Sequence, residues 1–159
     1  MPTISRHVLT IPETGRKVHY RRCGEGPPLL MVHQSPESSA EYIDLMQRWG
    51  EHFTCIAPDT PGFGQSDPLS GEPGITDFAD ALAEFVDALG TGQCAAYGFH
   101  SGGIIAVAAL RRHPDLFRCL AIGGYAVWTQ QEMQLFGERY LPEWHPSDYG
   151  EHLTWLWNR

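Results

Sequence analysis

Two short segments concentrate side chains that could act on a carbonyl. One is His33-Gln34-Ser35-Pro36, followed by Glu37, Ser38 and Ser39. The other is Gly98-Phe99-His100-Ser101-Gly102-Gly103. A neutral imidazole is a nucleophile and a general base, and its ordinary pKa near ~6.5 leaves it largely neutral at pH 7. His100 therefore has three readings. It attacks a carbonyl itself, it takes a proton from water or from the adjacent Ser101 hydroxyl, or it is a relic without a catalytic task. A metal site built from His33, His100 and Asp59 would need a ligand spacing that the chain lacks, so no metal and no other cofactor is expected. Cys23, Cys55, Cys94 and Cys119 form no Cys-x-x-Cys pair and lie beside apolar residues, which reads as reduced, mostly buried thiols.

Both segments must be positioned by regular elements, and hydrophobic periodicity supplies them. Residues 5–12 and 17–23 read as strands joined through the turn Glu13-Thr14-Gly15. Leu29-Leu30-Met31-Val32 is a continuous apolar run, the mark of a strand buried on both faces. Ser38 with Glu41 predicts a capping box opening a helix that carries Tyr42, Leu45, Met46 and Trp49 and stops at Gly50. Residues 53–57 form the next strand, and 58–67 a loop rich in Gly and Pro. Thr76 is the expected N-cap of a helix with Phe78, Leu82, Phe85, Val86 and Leu89 on one stripe, closed by Gly90. Residues 94–97 read as a short strand. An apolar helix then runs from Ser101 or Gly102 to Arg112 before Pro114, and 117–122 is a last strand. Strands alternating with helices imply a mostly parallel sheet covered on both faces, with ligands bound at the carboxyl ends of its strands. Both chemistry-bearing segments follow strands at that edge. From residue 125 on, the chain holds Trp128, Trp144, Trp155 and Trp157 without a strand pattern.

Composition narrows the function classes. A formal net charge of −8 makes a nucleic-acid backbone a poor partner. No stretch approaches the ~20 apolar residues that a bilayer span requires. The start, MPTISRHVLT, has no apolar core of a secretion signal, so a cytoplasmic location without membrane partners is expected.

Three segments together resemble the α/β-hydrolase superfamily, in the group of haloalkane dehalogenases, epoxide hydrolases and esterases. His33-Gln34-Ser35-Pro36-Glu37-Ser38-Ser39 resembles the family's His-Gly-x-Pro-x-Ser-Ser segment. Pro58-Asp59, with Gly62-Phe63-Gly64 and Ser66-Asp67, resembles its next loop. Gly98-Phe99-His100-Ser101-Gly102 resembles the nucleophile elbow, a sharp strand-to-helix turn crowded enough to demand glycine two residues before and after its tip. The resemblance covers roughly residues 5 to 125. It implies a three-layer α/β/α sandwich with a mostly parallel sheet, incomplete at its C-terminus. Residues 1–125 would be the N-terminal part of the hydrolase core, and 126–159 the start of a cap-like helical segment.

The resemblance also assigns roles. His100 stands at the elbow tip, where the family places Ser, Asp or Cys. The oxyanion donors would be the backbone N–H groups of Ser35 and Ser101. His33, Gln34, Phe99, Trp128 and Trp144 would line the pocket, with His33 chiefly positioning its loop. Gln34 replaces the usual Gly after His33. Gly123-Gly124 would admit a substrate or permit a turn. The family continues with two more strands, a carboxylate and a late catalytic His. Nothing after Gly124 fits these, so the chain reads as a fragment with an uncovered sheet edge, which a homo-oligomer could mask. The expected function is hydrolysis of a small apolar ester- or amide-like substrate. The alternatives are a non-catalytic member that binds a ligand or partner, and an inert truncation product.

Overall fold

The computed structural model describes residues 2–125, 127–140 and 147–157. They fall into two compact units that divide after Tyr125.

The first unit is built on strands β1 (Ser5–Thr10), β2 (Lys17–Cys23) and β3 (Pro28–Val32), helix α1 (Ile43–Trp49), strand β4 (Thr54–Pro58), helix α2 (Ile75–Leu89), strand β5 (Cys94–Phe99), helix α3 (Ser101–Arg112) and strand β6 (Phe117–Gly123). The sheet order is β1-β2-β4-β3-β5-β6. β1 and β2 pair antiparallel, as do β2 and β4; β4, β3, β5 and β6 run parallel. Alternation along β3 sorts the core into two layers. Leu30 and Val32 face a cluster with Leu82, Phe85 and Val86 of α2 and Ile105 and Ala109 of α3. Leu29 and Met31 face the opposite cluster with Tyr42 and Met46 beside α1. A strand between two helical layers must be apolar at every position, and this is the three-layer α/β/α sandwich predicted from the sequence.

Two helix starts differ from the sequence reading. Thr76 lies inside the first turn of α2, not at its cap. Gly74 is the cap: the Asp77 carboxylate accepts its N–H at 2.7 Å, and the Asp77 N–H donates to its carbonyl at 3.0 Å. An acid at the third position can close this exchange with any backbone, so no capping side chain is needed. Ser38 does cap, accepting the Ala40 N–H at 3.3 Å, but it opens a 3-10 turn over Ser39–Tyr42. Glu41 does not complete the box. Its carboxylate instead accepts the N–H of Gln34, at 3.0 Å.

The C-terminal end of α3 is clamped to α2, where Asp80 accepts two N–H groups of Arg112 at 2.7 Å each and faces His113 at 2.8 Å. The Arg112 hydrogen bonds, seconded by His113, hold the Asp80 carboxyl down at about 2.

Cys23, Cys55 and Cys94 are buried and Cys119 is exposed on β6, in keeping with the reading of free, mostly buried thiols. Burial pushes the Cys55 thiol up to about 12 and the Cys94 thiol up to about 11, and raises Cys23 as well. Since the thiolate is the reacting form, a disulfide reagent at pH 8 is expected to titrate one thiol quickly and the other three only on unfolding. Fast labelling that persists in Cys119→Ser would contradict this burial.

The second unit holds helices α4 (Gln130–Tyr140) and α5 (Glu151–Trp157). Thr129 and Glu132 form a reciprocal capping box at the start of α4, with bonds of 2.8 and 3.2 Å. The Trp128 ring packs on Phe136 with centroids 5.3 Å apart, beside a cavity of about 180 Å³ that Leu135 and Arg139 also line. Among the described residues no helix is long and apolar enough to cross a membrane.

Candidate functional site

β3 and β5 are adjacent parallel strands, so the loops that leave their carboxyl ends emerge side by side. Val32 pairs with Gly98 at the last rung, which sets the His33 loop against the start of α3. The two glycines of the turn are required by this proximity. A Cβ on Gly98 would lie 2.7 Å from the Gly102 carbonyl oxygen and from the Gly103 Cα. A Cβ on Gly102 would lie 2.1 Å from the Val32 carbonyl oxygen and 2.5 Å from that of His33. Bulk is excluded at both flanks of the bend by backbone that cannot swing aside.

His100 stands at the tip. Its φ of 51° and ψ of −119° make it the sole non-glycine residue at positive φ among the described residues. A side chain in this region is strained, by about 1–3 kcal/mol. The turn is held by main-chain bonds: the His100 N–H donates to the Gly123 carbonyl at 2.9 Å, and its carbonyl accepts from Gly103 at 3.0 Å and Ile104 at 3.3 Å. The imidazole is exposed and has no hydrogen-bond partner among the described residues.

Ser101 opens α3. The N–H of Ser35 donates to its Oγ at 2.7 Å. One of the two amides assigned to an oxyanion is thus occupied by a neighbouring hydroxyl, a contact that nothing local in the sequence announces. No group among the described residues accepts the Ser101 N–H, which points off the first turn of a helix.

His33 is buried, 1% exposed, so it does not line an open surface. Its Nδ1–H donates to the Gln34 carbonyl at 2.8 Å, and its Nε2 accepts the Thr60 backbone N–H at 2.9 Å. Desolvation lowers its pKa, against a smaller opposing pull from the Gln34 carbonyl, which keeps the ring neutral. Gln34 is half-buried and anchored through the Glu41 carboxylate, the residue that sequence reasoning placed in a capping box. Phe99 is half-buried against the end of β6. A Cβ on Gly123 or Gly124 would lie 2.8 or 3.1 Å from its ring, so this glycine pair makes room for Phe99, and Gly124, at φ 61°, also turns the chain. Trp128 lies in the second unit, and Trp144 falls outside the described residues.

Asp59 is buried and fully engaged. Its Oδ1 accepts the Ser39 N–H at 2.8 Å, and its Oδ2 accepts the Gln65 N–H at 2.9 Å and the His19 Nδ1–H at 2.8 Å. It braces the loop rather than facing the cleft. Among the described residues no group of three His, Cys, Asp or Glu side chains is placed to hold a metal ion.

This order of strands, with a strained bend after β5, has a match among known families. The model of the alpha/beta hydrolase fold family matches residues 27–144. The chain belongs to the α/β-hydrolase fold family. Similar members include haloalkane dehalogenase 2 of Mycobacterium tuberculosis, 35% identical over 120 residues that cover 75% of this chain and 42% of that protein. A soluble epoxide hydrolase of Corynebacterium sp. is 34% identical over 120 residues, 75% of this chain and 41% of that protein. The structure of an E-2-(acetamidomethylene)succinate hydrolase superposes with a TM-score of 0.77 at 27% identity, over 86% of this chain and 51% of that one. This α/β-hydrolase chain therefore spans about half or less of the length of the relatives it matches.

Proposed function

We propose that the chain is the nucleophile-elbow part of a hydrolase for small, largely apolar ester- or amide-like substrates, with His100 as general base. The observation that carries this reading is an unbonded, exposed imidazole at the strained tip of the elbow, where the backbone holds it beside a free helix N-terminal amide. Two of the relatives named above are hydrolases by name, and all three are named for small-molecule substrates, which supports a reaction of this class.

The chemistry runs as follows. A ring nitrogen of His100 takes a proton from water while the oxygen of that water bonds to the substrate carbonyl carbon. The carbonyl π pair moves onto oxygen, and the Ser101 N–H holds the resulting anion. Ser35 joins as second donor once the Ser101 hydroxyl turns away from its N–H. The tetrahedral adduct then collapses, the bond to the leaving oxygen or nitrogen breaks, and the imidazolium returns the proton to it.

p-Nitrophenyl acetate serves as the probe. His100→Ala is expected to lower kcat/KM at least ~100-fold, the scale of a lost general base. Ser101→Ala is expected to retain most activity, because the serine oxygen forms no bond to carbon in this scheme. Labelling of Ser101 by a serine-directed phosphonate, or turnover untouched by His100→Ala, would overturn it.

A second reading is a ligand-binding member without turnover. Its support is specific: the Ser101 hydroxyl occupies the Ser35 amide, and among the described residues no carboxylate contacts the His100 ring. Saturable ester binding with no hydrolysis by the same chain would favour it.

A further inference from the structure

Away from the elbow, β1 and β2 set Arg6 directly opposite Arg21 in an antiparallel pair. Like charges so placed repel, and such pairs are ordinarily relieved by a nearby acid. Here neither arginine forms an ion pair with any described residue. Each guanidinium is instead oriented by a neutral acceptor. The Arg6 Nε–H donates to His19 Nε2 at 3.2 Å, and an Arg21 Nη1–H donates to Ser39 Oγ. His19 and Ser39 are in turn fixed by the two oxygens of the buried Asp59. One carboxylate thus holds both arginines in place at one remove, while its own acceptor capacity goes to Ser39, His19 and Gln65. Each arginine spends one N–H on that acceptor, and the rest of its guanidinium has no hydrogen-bond partner among the described residues.

Both arginines face a cavity of about 500 Å³, a size suited to a small organic ligand, whose wall is completed by Pro2, Ile4, Ile43 and Gln47 among others. We propose that this groove binds the phosphate group of a small phosphate monoester. Two facing forks match the planar, multidentate recognition that Arg gives to phosphate oxyanions, and their joint charge balances the −1.5 to −2 of a monoester near pH 7. A carboxylate would leave about half of that charge unmatched. The apolar walls from Pro2, Ile4 and Ile43 suit the organic part, and Gln47 supplies a hydrogen-bonding group. In a chain of net charge −8, a cationic groove without acidic partners is a departure that an anionic ligand accounts for.

The test is a titration of the whole chain with phenyl phosphate, followed by the Arg Nε–H resonances and by calorimetry, with orthophosphate, benzoate and phenol as comparators. Phenyl phosphate is expected to bind saturably and to shift the Arg6 and Arg21 signals. Orthophosphate should bind at the same resonances more weakly, benzoate at least tenfold more weakly than phenyl phosphate, and phenol not at all. Arg6→Gln, at an exposed position, is expected to weaken phenyl phosphate at least tenfold, and Arg6→Lys to restore part of that loss. Failure of phenyl phosphate to saturate, affinity unchanged in Arg6→Gln, or benzoate binding equal to phenyl phosphate would each overturn the assignment. None of these readouts depends on ester turnover at His100.

Discussion

Gly102→Ala is expected to be among the most damaging single methyl groups that can be added to this chain, alongside Gly24→Ala, whose Cβ would meet the Gly50 and Phe53 carbonyl oxygens. The Cβ at residue 102 would sit 2.1 Å from the Val32 carbonyl oxygen and 2.5 Å from that of His33. Both are main-chain atoms at the end of a central strand, so relief requires α3 to move off the sheet. A loss of about 3–5 kcal/mol follows, at the high end for a point substitution. Gly15→Ala is the matched control. Gly15 has φ 72° with nothing within 4 Å of a built Cβ, so only its backbone preference is lost, about 1 kcal/mol. Urea unfolding of the two variants separates crowding from conformational strain. If both midpoints fall equally, the packing of α3 against β3 is looser than described.

Asp59→Ala carries the second large effect. Removing the carboxylate leaves the buried Ser39 amide and His19 Nδ1–H, and the half-buried Gln65 amide, without an acceptor, and frees the two side chains that orient Arg6 and Arg21. A loss of about 3–5 kcal/mol is expected, in the range for breaking a buried charge from its partners. The same group gives the protein an acid limit. Desolvation alone would raise the Asp59 pKa, but the hydrogen bonds from Ser39, Gln65 and His19 outweigh it and bring the value below the usual carboxylate range. A pKa depressed in the folded state contributes stability above the unfolded value. That contribution is withdrawn as pH falls from about 4 through the folded value. The stability gap between wild type and Asp59→Asn, read from urea midpoints, should therefore narrow between about pH 5 and pH 3. A gap constant across that range would mean that the carboxylate is not what the loop is built around.

The glycine frame and the strand order were legible because both are properties of contiguous sequence. Gly98 and Gly102 bracket one position only, and Leu29 to Val32 cannot be anything but a two-faced core strand. The contacts that shape the site were not legible, because each joins residues far apart in the chain. Ser35 reaches Ser101 across 66 positions, and Thr60 reaches His33 across 27. Glu41 shows how local grammar misleads. Its spacing from Ser38 satisfies a capping rule, yet the fold brings the Gln34 amide closer, and a carboxylate serves the donor it can reach. Thr76 failed for the opposite reason: a good capping residue was outbid by Asp77, which needed only a backbone. The facing of Arg6 and Arg21 depends on strand register, which the turn at Gly15 fixes and composition does not. The roles of Trp128 and Trp144 rest on a segment whose pattern was only aromatic richness, and one of the two lies outside the described residues.

His33 tethers its loop to the next one through the backbone N–H of Thr60, not through a side chain alone. The tie is therefore indifferent to most of what residue 60 carries. The Thr60 hydroxyl seconds the link at 3.1 Å, so another small residue keeps the backbone bond and loses only this second one, while proline severs the backbone bond by having no hydrogen to give. Position 60 is thus left with latitude to vary, while its neighbour Asp59, whose carboxylate serves Ser39, Gln65 and His19, is not.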